Sequence, residues 1–385
     1  MNALYAVLAV AAAGIIPGAG MVHAEIPEVV KIGGIFEYNW AEGAEGAAIS
    51  EMAVEDFNAY LENIGAGWSL HLSSEDTQSS GSVSLDKVHT FNGAGVKILV
   101  GLPFSQYIVQ AASYIDRNNM LVISHAAQAE NLAIDDTIFR LVPHDGYQAP
   151  AIAKMLEDAG IEVLVTVARA DTWGDGHVAG VRERFSGVME PGLRYNTDAQ
   201  EFSVAVGVLD DVISGLVERH GAEKVGVLYV GNDEFLPIMQ AMRFYENVSK
   251  VRWFATNTQS FKTYFFEDPV AREFAEATQF TTTRSIVSSD NRVKDALDAK
   301  YMEMYNATIS TYGYAAYDSI WLLGLTILQT QSTDTETLAG AIPYVASHML
   351  GASGDLTLTE YGDLATAEFE VWQVSDGAWV QVVDE

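Results

Sequence analysis

Three places in the first third of the chain set small or hydroxyl-bearing residues directly behind an apolar, β-branched run. They are Gly33-Gly34-Ile35-Phe36-Glu37-Tyr38-Asn39-Trp40, Gly101-Leu102-Pro103-Phe104-Ser105 and Ser124-His125-Ala126-Ala127-Gln128. If each run is a strand and the next segment a helix, these residues lie at the carboxyl edge of a parallel sheet, where open α/β sheets take their ligands. Helix N-termini offer unpaired N–H groups there, and the Ser105 hydroxyl beside one would complete a site for a carboxylate or another acceptor. Ser105 reads equally well as a plain N-cap. The second half repeats the arrangement at Thr172-Trp173-Gly174-Asp175-Gly176, at Gly231-Asn232-Asp233-Glu234 and at Asn257-Thr258. Trp173, in a glycine-flanked turn, reads as a ligand-facing lid. Asp233 and Glu234 are either ligand-facing acids or helix-start acids favoured by the dipole.

Motifs for bond-making chemistry are missing. The chain has no Gly-x-Ser-x-Gly, no Gly-x4-Gly-Lys-Ser/Thr and no His-Glu-x-x-His. Gly174-Asp175-Gly176-His177-Val178-Ala179-Gly180 is one residue too long before its last glycine for a dinucleotide fingerprint, and it puts an acid where a pyrophosphate would sit. The eight histidines never fall at the close helical spacing of a metal site. Asp and Glu are abundant, but no pair is singled out as a general acid and base. The pattern is that of a binding protein without catalytic residues, bound metal or cofactor.

These edges need strands and helices to hold them. Val29–Phe36 reads as a first strand, 44–63 as a helix with Ala48, Met52, Phe57 and Leu61 roughly on one face, and 68–75, 96–101 and 120–124 as further strands. Helices over 82–92 and 104–117 separate them, so one α/β lobe is complete near residue 144. A second series sets strands 162–168, 192–196, 224–230 and 250–255 between helices 147–159, 174–188, 201–220 and 233–246. Residues 290–330 return to helical period, and 354–383 alternate in period two with Gly-Asp and Asp-Gly turns, which reads as short antiparallel strands. With 385 residues, two lobes are expected, since a single core rarely serves so long a chain. The expected class is α/β, two doubly wound lobes with central parallel sheets. Residues 27–144 plus 277–345 are assigned to lobe 1, and 145–276 plus 346–385 to lobe 2.

The balance of 52 acidic to 21 basic residues, a net charge of −31, would repel phosphate backbones and anionic membranes, so nucleic acid is not an expected partner. The absence of cysteine rules out disulfides, thiolate metal sites, a cysteine nucleophile and a lipidated cysteine anchor. Residues 3–22 are apolar and run into Val22-His23-Ala24, a fit for signal-peptidase cleavage before Glu25. Residues 1–24 are therefore read as a signal peptide. Because no Lys or Arg precedes the run and Pro17 interrupts it, a retained N-terminal anchor is the alternative; either way the protein is exported, periplasmic or extracellular.

Over nearly all of the mature chain the sequence resembles the type I periplasmic solute-binding proteins, in particular those for branched-chain amino acids. The resemblance rests on KIGGIF at 31–36, AVEDFNA at 53–59, EDTQSS at 75–80, VKILVGLPFS at 96–105 and LVISHAAQAENL at 121–132. It continues through IFRLVPHDGYQA at 138–149, DTWGDG at 171–176 and YAAYDSIWLLGLTI at 314–327. It implies two lobes joined by three crossovers that close over a small polar ligand and present it to the permease of an ABC-type importer. The expected oligomeric state is a monomer. Carried over residue by residue, Ser105 and Ala126 fit the positions that hold an α-carboxylate and α-amine, and Gln128 replaces the usual Thr or Ser. Trp173 takes the place of a tyrosine, and Tyr38 or Trp40 that of a first-loop aromatic, with Glu42 close by. The family's amine-neutralising acid would fall at Asn257 or Thr258, which carry none, so Asp233 or Glu234 is expected to substitute. An acid-lined, aromatic-walled site favours an amino acid, an amine or an amide such as urea. An extracellular sensor of the same fold is the second reading, and an amide-acting enzyme the third.

Overall fold

The computed structural model describes residues 26–199, 201–286, 290–365 and 367–382, so the expected signal peptide or anchor lies outside the described residues. The chain opens with β1 (Val29–Phe36), α1 (Ala41–Ile64), β2 (Ser69–Asp76), α2 (Gly81–Gly93), β3 (Ile98–Gly101), α3 (Ser105–Arg117), β4 (Leu121–Ser124) and β5 (Ile138–Arg140). It continues through α4 (Asp145–Asp158), β6 (Val163–Arg169), α5 (Thr172–Arg184), β7 (Val188–Tyr195), α6 (Ser203–His220), β8 (Val225–Val230), α7 (Phe235–Met242) and β9 (Arg252–Ala255). Then follow α8 (Tyr264–Glu267), α9 (Pro269–Ala277), β10 (Thr281–Ser285), α10 (Arg292–Tyr305), α11 (Thr311–Thr330), α12 (Thr335–Ala346), β11 (Leu350–Gly351), β12 (Gly354–Asp355), β13 (Phe369–Ser375) and β14 (Ala378–Val382).

The described residues gather into two compact units: 26–128, 132–143 and 290–365 in one, and 129–131, 144–286 and 367–382 in the other. The first holds a parallel sheet in the order β2-β1-β3-β4-β5. One face of that sheet packs on α1, α11 and α12 through Ile32, Phe36, Ile49, Phe57, Ile320, Leu323 and Ile342; the other packs on α2 and α3 through Ile35, Val88, Leu99, Ile108 and Ile115. In α11 every residue from Tyr312 to Ile327 is buried, so the helix is covered on all sides. No helix among the described residues is long and apolar enough to cross a membrane.

The second unit repeats the plan. Its strands run β7-β6-β8-β9-β10 in parallel, and the antiparallel hairpin β13–β14 extends the β10 side. An aromatic-rich layer of Tyr229, Phe235, Trp253, Phe265, Phe274 and Phe280 packs between the sheet and α6, α7 and α9, while α4 and α5 cover the other face. β7 starts four residues earlier than its expected 192, because Pro191-Gly192 imitates a turn. Proline is tolerated there because β7 is an edge strand, and the register against β6 slips between Val165 and Val167.

The expected lobe boundaries need correction at two points. Residues 277–286, assigned to lobe 1, belong with the second unit, because β10 pairs with both β9 and β13. Residues 346–365, assigned to lobe 2, stay with the first unit. Buried Asp318 on α11 accepts bonds from Ala352 N at 2.6 Å, Ser353 N at 2.8 Å and Ser353 Oγ at 2.5 Å, and Arg140 on β5 bonds Asp363. Of the short antiparallel strands expected over 354–383, β12 pairs with β11 in the first unit and 369–382 form the β13–β14 hairpin of the second.

Candidate functional site

In a doubly wound sheet the strand order reverses where helices pass to opposite faces, and the crevice outside the carboxyl ends at that point is where such sheets bind. The first unit reverses between β1 and β3, and the second between β6 and β8. The expected residues fall in the segments that follow these strands and their neighbours, one set in each unit.

At the first edge Glu37 organises the loops. Its carboxylate is buried and accepts bonds from Thr77 Oγ1, Ser79 N at 2.8 Å, Ser79 Oγ at 3.0 Å, Asn39 N at 3.1 Å and Tyr107 Oη at 3.2 Å. One side chain thereby ties together the β1–α1 loop, the β2–α2 loop and α3. Tyr38 follows it and is 43% exposed. Trp40 is buried, its ring 5.3 Å from both Phe104 and Tyr312, and so belongs to the wall supporting the edge. Glu42 lies in the first turn of α1.

Ser105 and Ala126 follow the neighbouring strands β3 and β4, and both are buried. Ser105 is not the N-cap of α3. That place falls to Phe104, which makes no side-chain capping bond, and Ser105 is the first helical residue. The chain reaches it through Gly101, whose φ of +105 and closeness to the Ile35 carbonyl exclude a Cβ. Ser124 Oγ bridges the Leu102 carbonyl at 3.2 Å and the Ala127 N–H at 3.3 Å, which fixes the two strand ends against each other. Gln128 is held at both ends of its amide, by the Pro143 carbonyl at 3.0 Å and the Tyr312 hydroxyl at 2.8 Å.

Capping sharpens the picture. The side chains of Ser80, His144, Asp171, Asp268, Asn291, Ser310 and Asp334 cap α2, α4, α5, α9, α10, α11 and α12. Both helices that start at the first reversal, α1 and α3, have no side-chain cap, nor does α7 at the second; α6 and α8 share this trait. A ligand oxygen is a natural substitute at such a terminus.

His125 sits in the same edge, wholly buried, 5.7 Å from the Phe36 ring and against Gly46, where a Cβ would strike its Nε2. Burial pushes its pKa down to about 4. The unfolded chain, titrating near 6.5, binds a proton that the folded chain refuses, so the stability present above pH 6.5 is lost as the pH falls toward 4. The expected loss is about 3 kcal/mol across that window. Urea titrations at pH 7 and pH 4.5 should show it in the wild type and a smaller loss in His125→Leu; equal acid sensitivity would acquit His125.

At the second edge a buried arginine stands at the centre. Arg169, the last residue of β6, bonds Asp171 Oδ2 through Nε and Glu234 Oε1 through Nη1, both at 2.8 Å. Burial alone would lower its pKa, but the Glu234 and Asp171 carboxylates outweigh that and raise it, so the guanidinium stays charged. Glu234 also accepts the Asn232 N–H at 3.0 Å. Asp233 pairs with Lys262 at 2.7 Å. Both acids expected to face a ligand amine therefore already have cations in the second unit.

Trp173 lies in the first turn of α5 rather than in an open turn, because Asp171 caps the helix by accepting Gly174 N at 2.9 Å. The indole is partly buried and donates to Asp145 Oδ1 at 3.3 Å, and Asp145 lies 3.0 Å from His177 Nδ1. Thr258 is buried and donates to the Gly231 carbonyl at 2.6 Å; Gln259 Nε2 reaches the carbonyls of Gly231 and Asn232 at 2.9 and 3.0 Å. Gly231 packs against the hydroxyls of Tyr195 and Tyr229 so closely that no Cβ fits. Thr258 thus shapes the β8 turn.

The sequence reading overlooked Arg169, and quoted Glu37 and Asp171 without giving either a role. A charge ending the fully buried run Val163–Arg169 was the available signal for Arg169, but the expected strand stopped at 168. Among the described residues no group of three or more His, Asp or Glu is placed to hold a metal ion.

Two doubly wound units with parallel sheets, each reversing once and presenting loops and helix N-termini at that point, make this a protein of the type I periplasmic binding fold. The model of the receptor family ligand binding region matches residues 46–377, and the chain belongs to that family. A leucine-binding protein of Thermotoga maritima superposes with a TM-score of 0.77 at 19% identity, covering 92% of this chain and 98% of its own. The Leu/Ile/Val-binding protein homolog 3 of Brucella melitensis is 22% identical over 288 residues, 74% of each chain. An uncharacterised protein of Methanocaldococcus jannaschii is 19% identical over 376 residues, 91% of this chain and 88% of its own.

Proposed function

We propose that this protein is the exported ligand-capturing component of an ABC-type importer, which takes an amino acid or related small nitrogen compound by hinge closure and performs no chemistry on it. The observation that carries this reading is the pair of helices without side-chain caps, α1 and α3, flanking the first reversal with buried Ser105 in the opening turn. A ligand carboxylate would be taken by that terminus and the Ser105 hydroxyl, with Ala126 leaving room beside it and Tyr38 covering it. Since Asp233 and Glu234 are already ion-paired, the reading favours a neutral or zwitterionic ligand over a strongly cationic one. The family relationship and the amino-acid binding named for two of the similar proteins support it.

The receptor family description favours one alternative, an extracellular ligand-sensing domain with the same binding chemistry but no permease partner. A thermal-shift screen of residues 25–385 against amino acids, amines, urea and short amides tests the ligand class. A true ligand at a hundredfold excess over its dissociation constant adds about 2.7 kcal/mol of stability. Neutral amino acids are expected to raise the midpoint. A cooperatively unfolding protein that ignores the whole set would end this reading.

A further inference from the structure

The aromatic side chains of the second unit extend beyond its core. Past the end of β9 the chain turns at Phe261 with φ +61, a left-handed backbone that a bulky residue adopts only when its surroundings impose it, and the ring remains 40% exposed. Three partners hold it. The Arg284 guanidinium carbon lies 4.3 Å from the ring centroid, Trp372 meets the ring at 4.8 Å and 70°, and Trp379 lies tilted at 5.7 Å. Thr282 pairs with Trp372 across β10 and β13 and Arg284 pairs with Glu370, so Arg284 and Trp372 stand on the same sheet face. Thr283 points to the opposite face, where it receives the Gln148 amide at 2.7 Å.

Arg284 is half-buried, and its side chain makes no ion pair or hydrogen bond among the described residues. Glu370 stands directly across the ladder, yet its carboxylate takes the Gln381 amide at 3.1 Å. In a chain with 52 acids, a guanidinium kept on an aromatic shelf instead of a carboxylate calls for a reason. A guanidinium held 4.3 Å from a ring centroid keeps its N–H donors for a bidentate acceptor.

We propose that Arg284, Phe261 and Trp372 form a subsite for a carboxylate carried on a flat apolar group, an aryl carboxylate, with the guanidinium edge holding the oxygens and the aromatic rings covering the ring of the ligand. This goes beyond the amino-acid reading and shares no residue with Ser105, Ala126 or Trp173.

The test is calorimetric titration of the protein with sodium benzoate and, at matched ionic strength, with sodium acetate and L-leucine. Saturable benzoate binding at least tenfold tighter than acetate is expected. Arg284→Gln should weaken it at least tenfold and Arg284→Lys by less, because lysine keeps the charge but loses the planar fork. Should Arg284→Gln not fold, Arg284→Lys and Trp372→Phe carry the comparison, and at least one must weaken benzoate binding. Absence of saturable benzoate binding, equal affinity for acetate, or affinity indifferent to these substitutions would overturn the subsite. Failure of the amino-acid reading would appear in the L-leucine titration instead, which Arg284→Gln leaves unchanged.

Discussion

Asp363→Ala is expected to destabilise the first unit by about 3–5 kcal/mol, the usual cost of leaving one member of a buried ion pair alone. Arg140 and Asp363 are each 1% exposed, and Arg140 Nε meets Asp363 Oδ1 at 2.5 Å. The backbone joins them too, since Arg140 N donates to the Gly362 carbonyl at 2.9 Å. The pair fastens β5, only three residues long, to the segment that returns from α12. Truncation would take the carboxylate at 2.5 Å away from a guanidinium that is 1% exposed. Replacing both residues with apolar ones, as in Arg140→Met with Asp363→Leu, should recover most of the loss, because the desolvation of both charges goes with them. Urea unfolding measures both variants. A loss under about 1 kcal/mol in the single variant would mean that the guanidinium reaches solvent after small rearrangements.

Arg169→Met is expected to cost a similar amount, about 3–5 kcal/mol, for the opposite reason. It would leave two carboxylates, Asp171 and Glu234, facing each other across the β6–β8 reversal without the cation between them. The damage should be local and electrostatic, so Arg169→Met with Glu234→Gln should regain part of the stability. Urea unfolding of both variants checks this, and a loss under about 1 kcal/mol in Arg169→Met would mean that water takes the place of the guanidinium.

Much of the architecture could be read from sequence because long apolar runs of period two and long helical faces declare themselves. β1, β4, β8 and α2 were found within a residue or two. Short or interrupted elements were not. β5 has three residues, too few to show a period, and Thr281–Ser285 is polar and reads as a loop, although it is the pivot that keeps 277–286 in the second unit. At the sites, strand ends could be found from the change between apolar and small residues. What each does there was not legible. Whether an acid is open or already paired depends on partners distant in sequence: Glu234 meets Arg169 across 65 residues and Gln128 meets Tyr312 across 184. Local spacing carries no record of such pairings.

Pro191 in the edge strand β7 has a further consequence for the molecule at high concentration. A strand seeking to join the second sheet on that side finds a missing donor and a slipped register, a poor template for cross-chain pairing. The opposite margin, β14, ends in exposed Val380 and Val382 with no such obstacle among the described residues. Growth of this sheet into aggregates is therefore one-sided, and a single lysine or proline placed in β14 would act as the missing gatekeeper.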